Sequence, residues 1–258
     1  RMRELTVIKI GGNIVDKHEA LELFLNEFHK TPGPKILVHG GGVLASEMSQ
    51  KLGIVPNLLN GRRITDYETL KIVTMVYAGW MNKSIVAALQ RIGCNSIGLS
   101  GADGDVVPAT KRSPEPVDYG FVGDVKPSQI NTSLLISLLG RGICPVFCAI
   151  THDRNGSLLN TNADTMASSI AIALSKEYYT RLVYCFEKDG VLYDAEDNNS
   201  VIPLITRESY VNLKEEGAVS GGMIPKLDNA FAAIESGVSE VCIKHATNLN
   251  KAKGTILK

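Results

Sequence analysis

Short runs of apolar residues alternate along the chain with longer stretches whose apolar positions recur every three or four residues. TVIKI, starting at Thr6, predicts a strand, ALELFLNEFHK a helix, PKILVHGG a second strand and VLASEMSQKLG a second helix. In ETLKIVTMVYAGWMNKSIVAALQRIG the spacing of Leu70, Val73, Val76, Ile85, Ala88 and Leu89 predicts one long helix, or two joined at Gly79. SIGLSG and CPVFCAI add strands, NADTMASSIAIALSK a helix, RLVYCF a strand, IPKLDNAFAAIESG a helix and EVCIKHA a closing strand. This rhythm predicts an α/β fold, an open three-layer αβα sandwich around a mostly parallel sheet. The stretch 105–126, with prolines, glycines and short alternating runs, breaks the rhythm and predicts a hairpin insertion or a lid-like loop. A boundary between two lobes is expected near 174–181, with no long linker to mark it.

Composition narrows the classes. At 258 residues, 44 % hydrophobic and 21 % charged, the chain can bury a substantial core. Lysine plus arginine equals aspartate plus glutamate at 27 each, so no global field draws it to nucleic acid or to an anionic membrane. No bilayer-length uninterrupted apolar run, zinc-type cysteine grouping or signal-peptide pattern is found, and the cytoplasm is the expected setting. Cys94, Cys144, Cys148, Cys185 and Cys242 lie mostly among apolar neighbours and predict buried free thiols.

Open α/β sheets bind ligands at the carboxyl ends of their strands, where glycine turns bring backbone N–H groups and helix N-termini to an anion. Three such turns occur: Lys9-Ile10-Gly11-Gly12, His39-Gly40-Gly41-Gly42, and Gly221-Gly222 ahead of Lys226. Tight turning alone explains any one of them. The P-loop lysine and hydroxyl are missing, and so is the dinucleotide fingerprint, so a phosphate binder here uses another design. Lys9 stands in an apolar strand, where its charge needs an anionic partner or a route to the sheet edge. Lys226 lies about one turn into a helix, a position electrostatically unfavourable for a cation unless a negative group shares it. Asp164, at the start of another helix, serves as an N-terminal cap or as the orienter of both lysines. Asn160 and Asn162 add amides at that turn, and Arg63 or its neighbour Arg62 offers a fork for a carboxylate.

Eight segments in order carry a resemblance over nearly the whole chain. They are VIKIGGN at 7–13, VHGGG at 38–42, LNGRRITDYETL at 59–70, AGWMNKSIVAAL at 78–89, GLSGADG at 98–104, GFVGDV at 120–125, LLNTNAD at 158–164 and GGMIPKL at 221–227. Together they resemble the amino acid kinase family, and within it the N-acetylglutamate kinase branch. The resemblance implies a single domain of the carbamate kinase-like fold. It also implies ATP-dependent phosphorylation of the γ-carboxylate of an N-acylated glutamate, as in arginine biosynthesis.

By position in those motifs, Lys9 and Lys226 would neutralise the transferring phosphoryl group and the β-phosphate, and Asp164 would hold both lysines. Gly11, Gly12, Gly41 and Gly42 would donate backbone N–H bonds to phosphate oxygens. Arg63, helped by Asn160, would grip the substrate α-carboxylate, while Glu187, Gly190 and Gly222 would belong to the nucleotide side. The implied lobes are 1–175 for acyl-glutamate and dimerisation and 176–258 for ATP, with Mg²⁺ carried on the nucleotide phosphates and no metal site of the protein's own. A plain homodimer, joined through the helix at 66–78 and insensitive to arginine, is implied by a first strand beginning near Leu5.

Departures from the family pattern bear on the finer contacts. Phe186, Glu187 and Lys188 replace the usual threonine-aspartate-valine run before Asp189-Gly190, Trp80 stands where many relatives have lysine, and IKHATN replaces a histidine followed by aspartate-glycine. The acyl group is left open between acetyl and succinyl; a succinyl arm would want a cation, with Arg62, Lys83 and Lys111 as candidates. The rivals are another small-molecule kinase of the same superfamily, a nicotinamide-dependent oxidoreductase, and a non-catalytic sensor that would have lost Lys9, Lys226 or Asp164.

Overall fold

The computed structural model describes residues 2–258. Eight strands form the central sheet: β1 (Arg3–Ile10), β2 (Lys35–His39), β3 (Ser96–Leu99), β4 (Cys144–Cys148), β5 (Tyr178–Phe186), β6 (Leu204–Ile205), β7 (Glu240–His245) and β8 (Thr255–Leu257). Their spatial order is β6-β8-β7-β5-β1-β2-β4-β3. All neighbours run parallel except β7 and β8. The inner strands are almost wholly apolar because helices cover both faces, which is the continuous pattern read in TVIKI and RLVYCF.

The helices are α1 (Gly12–Val15), α2 (His18–Lys30), α3 (Gly42–Lys51), α4 (Tyr67–Arg91), α5 (Thr132–Gly140), α6 (Ala163–Leu174), α7 (Arg207–Glu215) and α8 (Met223–Glu235). On one face, α6 and α8 pack through Met166, Ile170, Leu227 and Phe231 against Val7, Leu182 and Val241. On the other, Phe24 and Phe28 of α2 and Ile85 and Leu89 of α4 cover Ile8, Leu37 and Val183. The expected three-layer αβα sandwich is the observed architecture.

α4 is one continuous helix with a wider, π-helical turn at Met75–Met81 that contains Gly79. By length and composition it could cross a bilayer, yet its buried residues pack into the core of this fold, as those of a core helix do. Its first half meets Ala45, Cys148 and Ile150, and its second half meets Phe24, Phe28 and Leu37. The stretch 105–126 contains an antiparallel hairpin, Ala109–Lys111 with Gly123–Val125. Of the elements named here, α1, α5, α7, β6 and β8 escaped the pattern reading. All five cysteines are buried and free.

β1 lies at the centre, hydrogen-bonded to β2 on one side and β5 on the other. The chain leaves β1 toward β2 on one side and leaves β5 toward β6 on the other, so the connections diverge there. In open α/β sheets this switch point opens a crevice at the carboxyl ends of the strands. Lys9, paired in register with Val38 and Tyr184, stands at that end.

Candidate active site

β1 delivers Lys9, the first turn of α6 delivers Asp164, and the first turn of α8 delivers Lys226. Asp164 joins the two cations: its Oδ1 lies 2.9 Å from Lys9 Nζ and its Oδ2 3.5 Å from Lys226 Nζ. Asn162, rather than Asp164, caps α6 by accepting from the Thr165 amide, which leaves the Asp164 carboxylate to the lysines. Burial pushes the Asp164 carboxyl up, but the charges of Lys9 and Lys226 outweigh it and hold the group below its ordinary value. Burial lowers the Lys226 ammonium, and nearby Lys9 adds to that while Asp164 and Glu187 oppose it.

Aromatic faces complete the lysine's surroundings. Lys226 Nζ stands 5.0 Å from the Tyr184 ring centre and 5.7 Å from that of Phe186. The Tyr184 hydroxyl accepts from Asn229 Nδ2 at 3.0 Å, one turn beyond Lys226 on α8. Neither Tyr184 nor Asn229 was singled out from sequence; inside an apolar strand, a tyrosine gives no sign of which ring will face a cation.

The glycine turns differ in detail. The Gly11 amide donates to the Cys185 carbonyl at 3.4 Å, extending the β1–β5 ladder. Among the described residues, the amides of Gly12, Gly41 and Gly42 donate to no protein acceptor. A side chain at Gly41 would meet Met81 Sδ at 2.6 Å and the Tyr77 ring, so the close approach of α4 requires glycine there. Gly42 opens α3, whose N-terminus faces the same crevice.

Beside it lies a cavity of about 200 Å³ lined in part by Gly42, Arg63, Tyr77, Asn160 and Asn162. A small hairpin, Leu58–Leu59 with Arg62–Arg63, supplies the arginine. Its turn is Asn60-Gly61, both at positive φ, the combination a two-residue hairpin favours. Arg63 is buried: Nη2 donates to the Gly42 carbonyl at 2.9 Å and to Ser46 Oγ at 2.8 Å, while buried Nη1 has no hydrogen-bond partner among the described residues. Arg62 lines the cavity too but is exposed. Asn160 Nδ2 donates to Thr65 Oγ1 at 3.2 Å. An unpartnered buried guanidinium nitrogen is costly unless an acceptor meets it, which suits a carboxylate.

The model of the amino acid kinase family matches residues 4–245. The chain belongs to the amino acid kinase family. Within the family it is 53 % identical to the acetylglutamate kinase of Cytophaga hutchinsonii, over 99 % of both chains. It is 51 % identical to that of Parabacteroides distasonis, over 98 % of this chain and 99 % of the relative. The carbamate kinase of Giardia lamblia bound to AMP-PNP shares the fold, with a TM-score of 0.71 and 15 % identity over 99 % of this chain and 98 % of the other.

Other candidate residues of this amino acid kinase fall in varied places. Glu187 and Gly222 are exposed, at the end of β5 and before α8. Gly190 is buried in a packed turn, where a Cβ would meet Thr255 Oγ1 at 2.7 Å. Lys83 Nζ donates to Asn82 Oδ1 and to the Gly98 carbonyl, and Lys111 lies over the Phe121 ring; neither lines the cavity. Arg112 does line it, paired with Asp124 and stacked over Tyr119. It was missed because it sits in the hairpin insertion, far from the glycine motifs in sequence. Trp80 is 71 % exposed on α4, in a groove with Leu21, Leu25 and Arg91.

Proposed function

We propose that this chain transfers the γ-phosphoryl group of ATP to the γ-carboxylate of N-acetyl-L-glutamate, giving N-acetyl-L-glutamyl 5-phosphate and ADP, as a step of arginine biosynthesis. The observation that carries this reading is Asp164 bridging Lys9 and Lys226 at the switch-point crevice, beside a cavity into which Arg63 brings a free nitrogen.

A carboxylate is already ionised at neutral pH and needs no general base. The barrier is bringing one anion onto another, so alignment and charge compensation supply the rate. The attacking γ-carboxylate oxygen forms the new bond to phosphorus as the bond to the ADP oxygen breaks. Lys9 and Lys226 flank the transferring group, Asp164 keeps them from repelling each other, and the amides of Gly12, Gly41 and Gly42 face its oxygens. Arg63 receives the α-carboxylate and Asn160 orients the substrate. Glu187 and Gly222 belong to the nucleotide side, with residues 1–175 serving acyl-glutamate and 176–258 serving ATP. Mg²⁺ would neutralise charge on the ATP phosphates and be carried by them, since the Asp164 carboxylate is engaged with the lysines.

The reading includes a homodimer through α4. The exposed apolar side chains Tyr67 and Met75 support it, adjoining a cavity of about 480 Å³ shared with Phe121 and Leu158. The cytoplasm fits five free buried thiols. A second reading, the same transfer to N-succinyl-L-glutamate, is favoured by Arg62 and Arg112, two further cations on the same cavity.

The test is ADP release from Mg·ATP with N-acetyl-L-glutamate, N-succinyl-L-glutamate and free glutamate side by side. Turnover with the acetylated substrate and near silence with glutamate is expected. Preference for the succinylated one would select the second reading, and silence with all three would remove both.

A further inference from the structure

His39 ends β2 with no solvent exposure, and the reaction proposed above makes no use of it. Its two ring nitrogens have different partners. Nε2 lies 3.0 Å from Asn82 Nδ2, which also donates to the Val146 carbonyl at 3.0 Å. The other end of the Asn82 amide, Oδ1, accepts from Lys83 Nζ at 3.1 Å. Turning that amide over would set oxygen against the Val146 carbonyl and N–H against an ammonium, so its orientation is determined by its surroundings. An amide nitrogen only donates, so His39 Nε2 is the acceptor and the ring proton sits on Nδ1. That nitrogen donates to the Gly40 carbonyl at 2.9 Å.

The consequence lies one peptide further on. In a planar trans peptide the carbonyl and the N–H point in opposite directions. Holding the Gly40 carbonyl against the imidazole therefore turns the Gly41 N–H away from the interior, and it meets no protein acceptor among the described residues. Glycine flanks this peptide on both sides, so no side chain opposes its rotation. Among the described residues, only the neighbouring imidazole holds the Gly40 carbonyl.

We infer that His39, kept in its Nδ1–H form by Asn82, is a positioning residue that latches the Gly40–Gly41 peptide with its N–H toward the transferring phosphoryl group. The inference rests on the phosphoryl-transfer reading for what the amide meets, and on this geometry alone for the latch. Burial, with the Lys83 charge adding to it, lowers the imidazole to about 4, so the latch stays neutral at working pH.

Two variants of the full chain separate its two nitrogens. His39→Asn keeps a donor near the place of Nδ1 and gives up the Nε2 acceptor; His39→Gln keeps an acceptor toward Asn82 and gives up the donor. With the preferred acyl-glutamate, His39→Gln is expected to lower kcat about 30-fold or more with KM changed less than about threefold, and His39→Asn to stay within about fivefold of wild type. Equal losses in both, or wild-type turnover in His39→Gln, would overturn the latch. In ¹⁵N NMR, the Nδ1–H form and a Gly41 amide shift that moves in His39→Gln but not in His39→Asn are expected. An Nε2–H ring, or an unmoved Gly41 resonance, overturns the inference even if no acyl-glutamate is turned over. Silence of the wild type toward every acyl-glutamate would instead sink the proposed reaction, leaving the NMR to decide the latch.

Discussion

The ammonium group of Lys226 lies 5.0 Å above the ring of Tyr184, and that ring is fixed from behind by Asn229, on the same helix as the lysine. The strand and the helix thus position each other through one aromatic face. A cation over a shielded ring gains about 1–2 kcal/mol. Tyr184→Leu is therefore expected to cost about tenfold in kcat, while Tyr184→Phe, which keeps the face, costs activity little and stability about 1 kcal/mol. Steady-state kinetics beside urea unfolding reads both.

Asp164→Asn removes the one anion between two lysines. A loss of about a hundredfold or more in kcat is expected, because the lysines then repel where they should converge. The carboxyl titrates below its ordinary value of 3.8 in the folded protein, so its contribution to stability is complete above that value and lost as pH falls through the folded one. Acid unfolding of the wild type should contain this component, and that of Asp164→Asn should lack it.

His39 gives a second pH signature in a higher window. Unfolded, the imidazole titrates near 6.5; folded, burial holds it to about 4. Between these values the unfolded chain binds the extra proton, so stability falls as pH drops from about 6.5 to about 4, by about 3 kcal/mol in total. Urea midpoints measured across that range should fall in the wild type and fall less in His39→Asn. A flat profile would mean that the ring can charge in place beside Lys83.

Gly98 has no room for a side chain. A Cβ there would lie 2.0 Å from Asn82 Oδ1 and 2.6 Å from Lys83 Nζ. Gly98→Ala should destabilise the fold by about 2–3 kcal/mol, as overpacking of a buried polar network does. Equilibrium unfolding gives the size. A cost below about 0.5 kcal/mol would show that Asn82 can shift freely.

Much of the frame could be read from periodicity. TVIKI, RLVYCF and NADTMASSIAIAL are buried nearly all round or along one full face, and their apolar patterns say so directly. The helix at TSLLISLLG was missed because nine mostly apolar residues show no clear period, and TIL is too short to register at all. Lys9 and Lys226 stood out because a charge on a glycine turn in an apolar frame needs a reason, and Asp164 because it stands at the start of a helix. Arg112, Tyr184 and the His39–Asn82 pair did not. Their partners lie 12, 45 and 43 residues away, and only the folded chain says which of many polar residues meet.

The wide turn in α4 carries a consequence for how this chain tolerates change in length. Residues before it and at its start, Leu70, Val73 and Val76, serve one core cluster; residues from its end onward, Met81, Ile85 and Leu89, serve another on the sheet. An added residue in a helix advances everything beyond it by about 100°. The turn is thus a phase shift that lets one rod face two cores. Deleting a single residue between Met75 and Met81 would leave every chemically active side chain intact and still rotate Asn82 away from His39. The family's insertions and deletions should therefore avoid these seven positions even where the residues themselves vary.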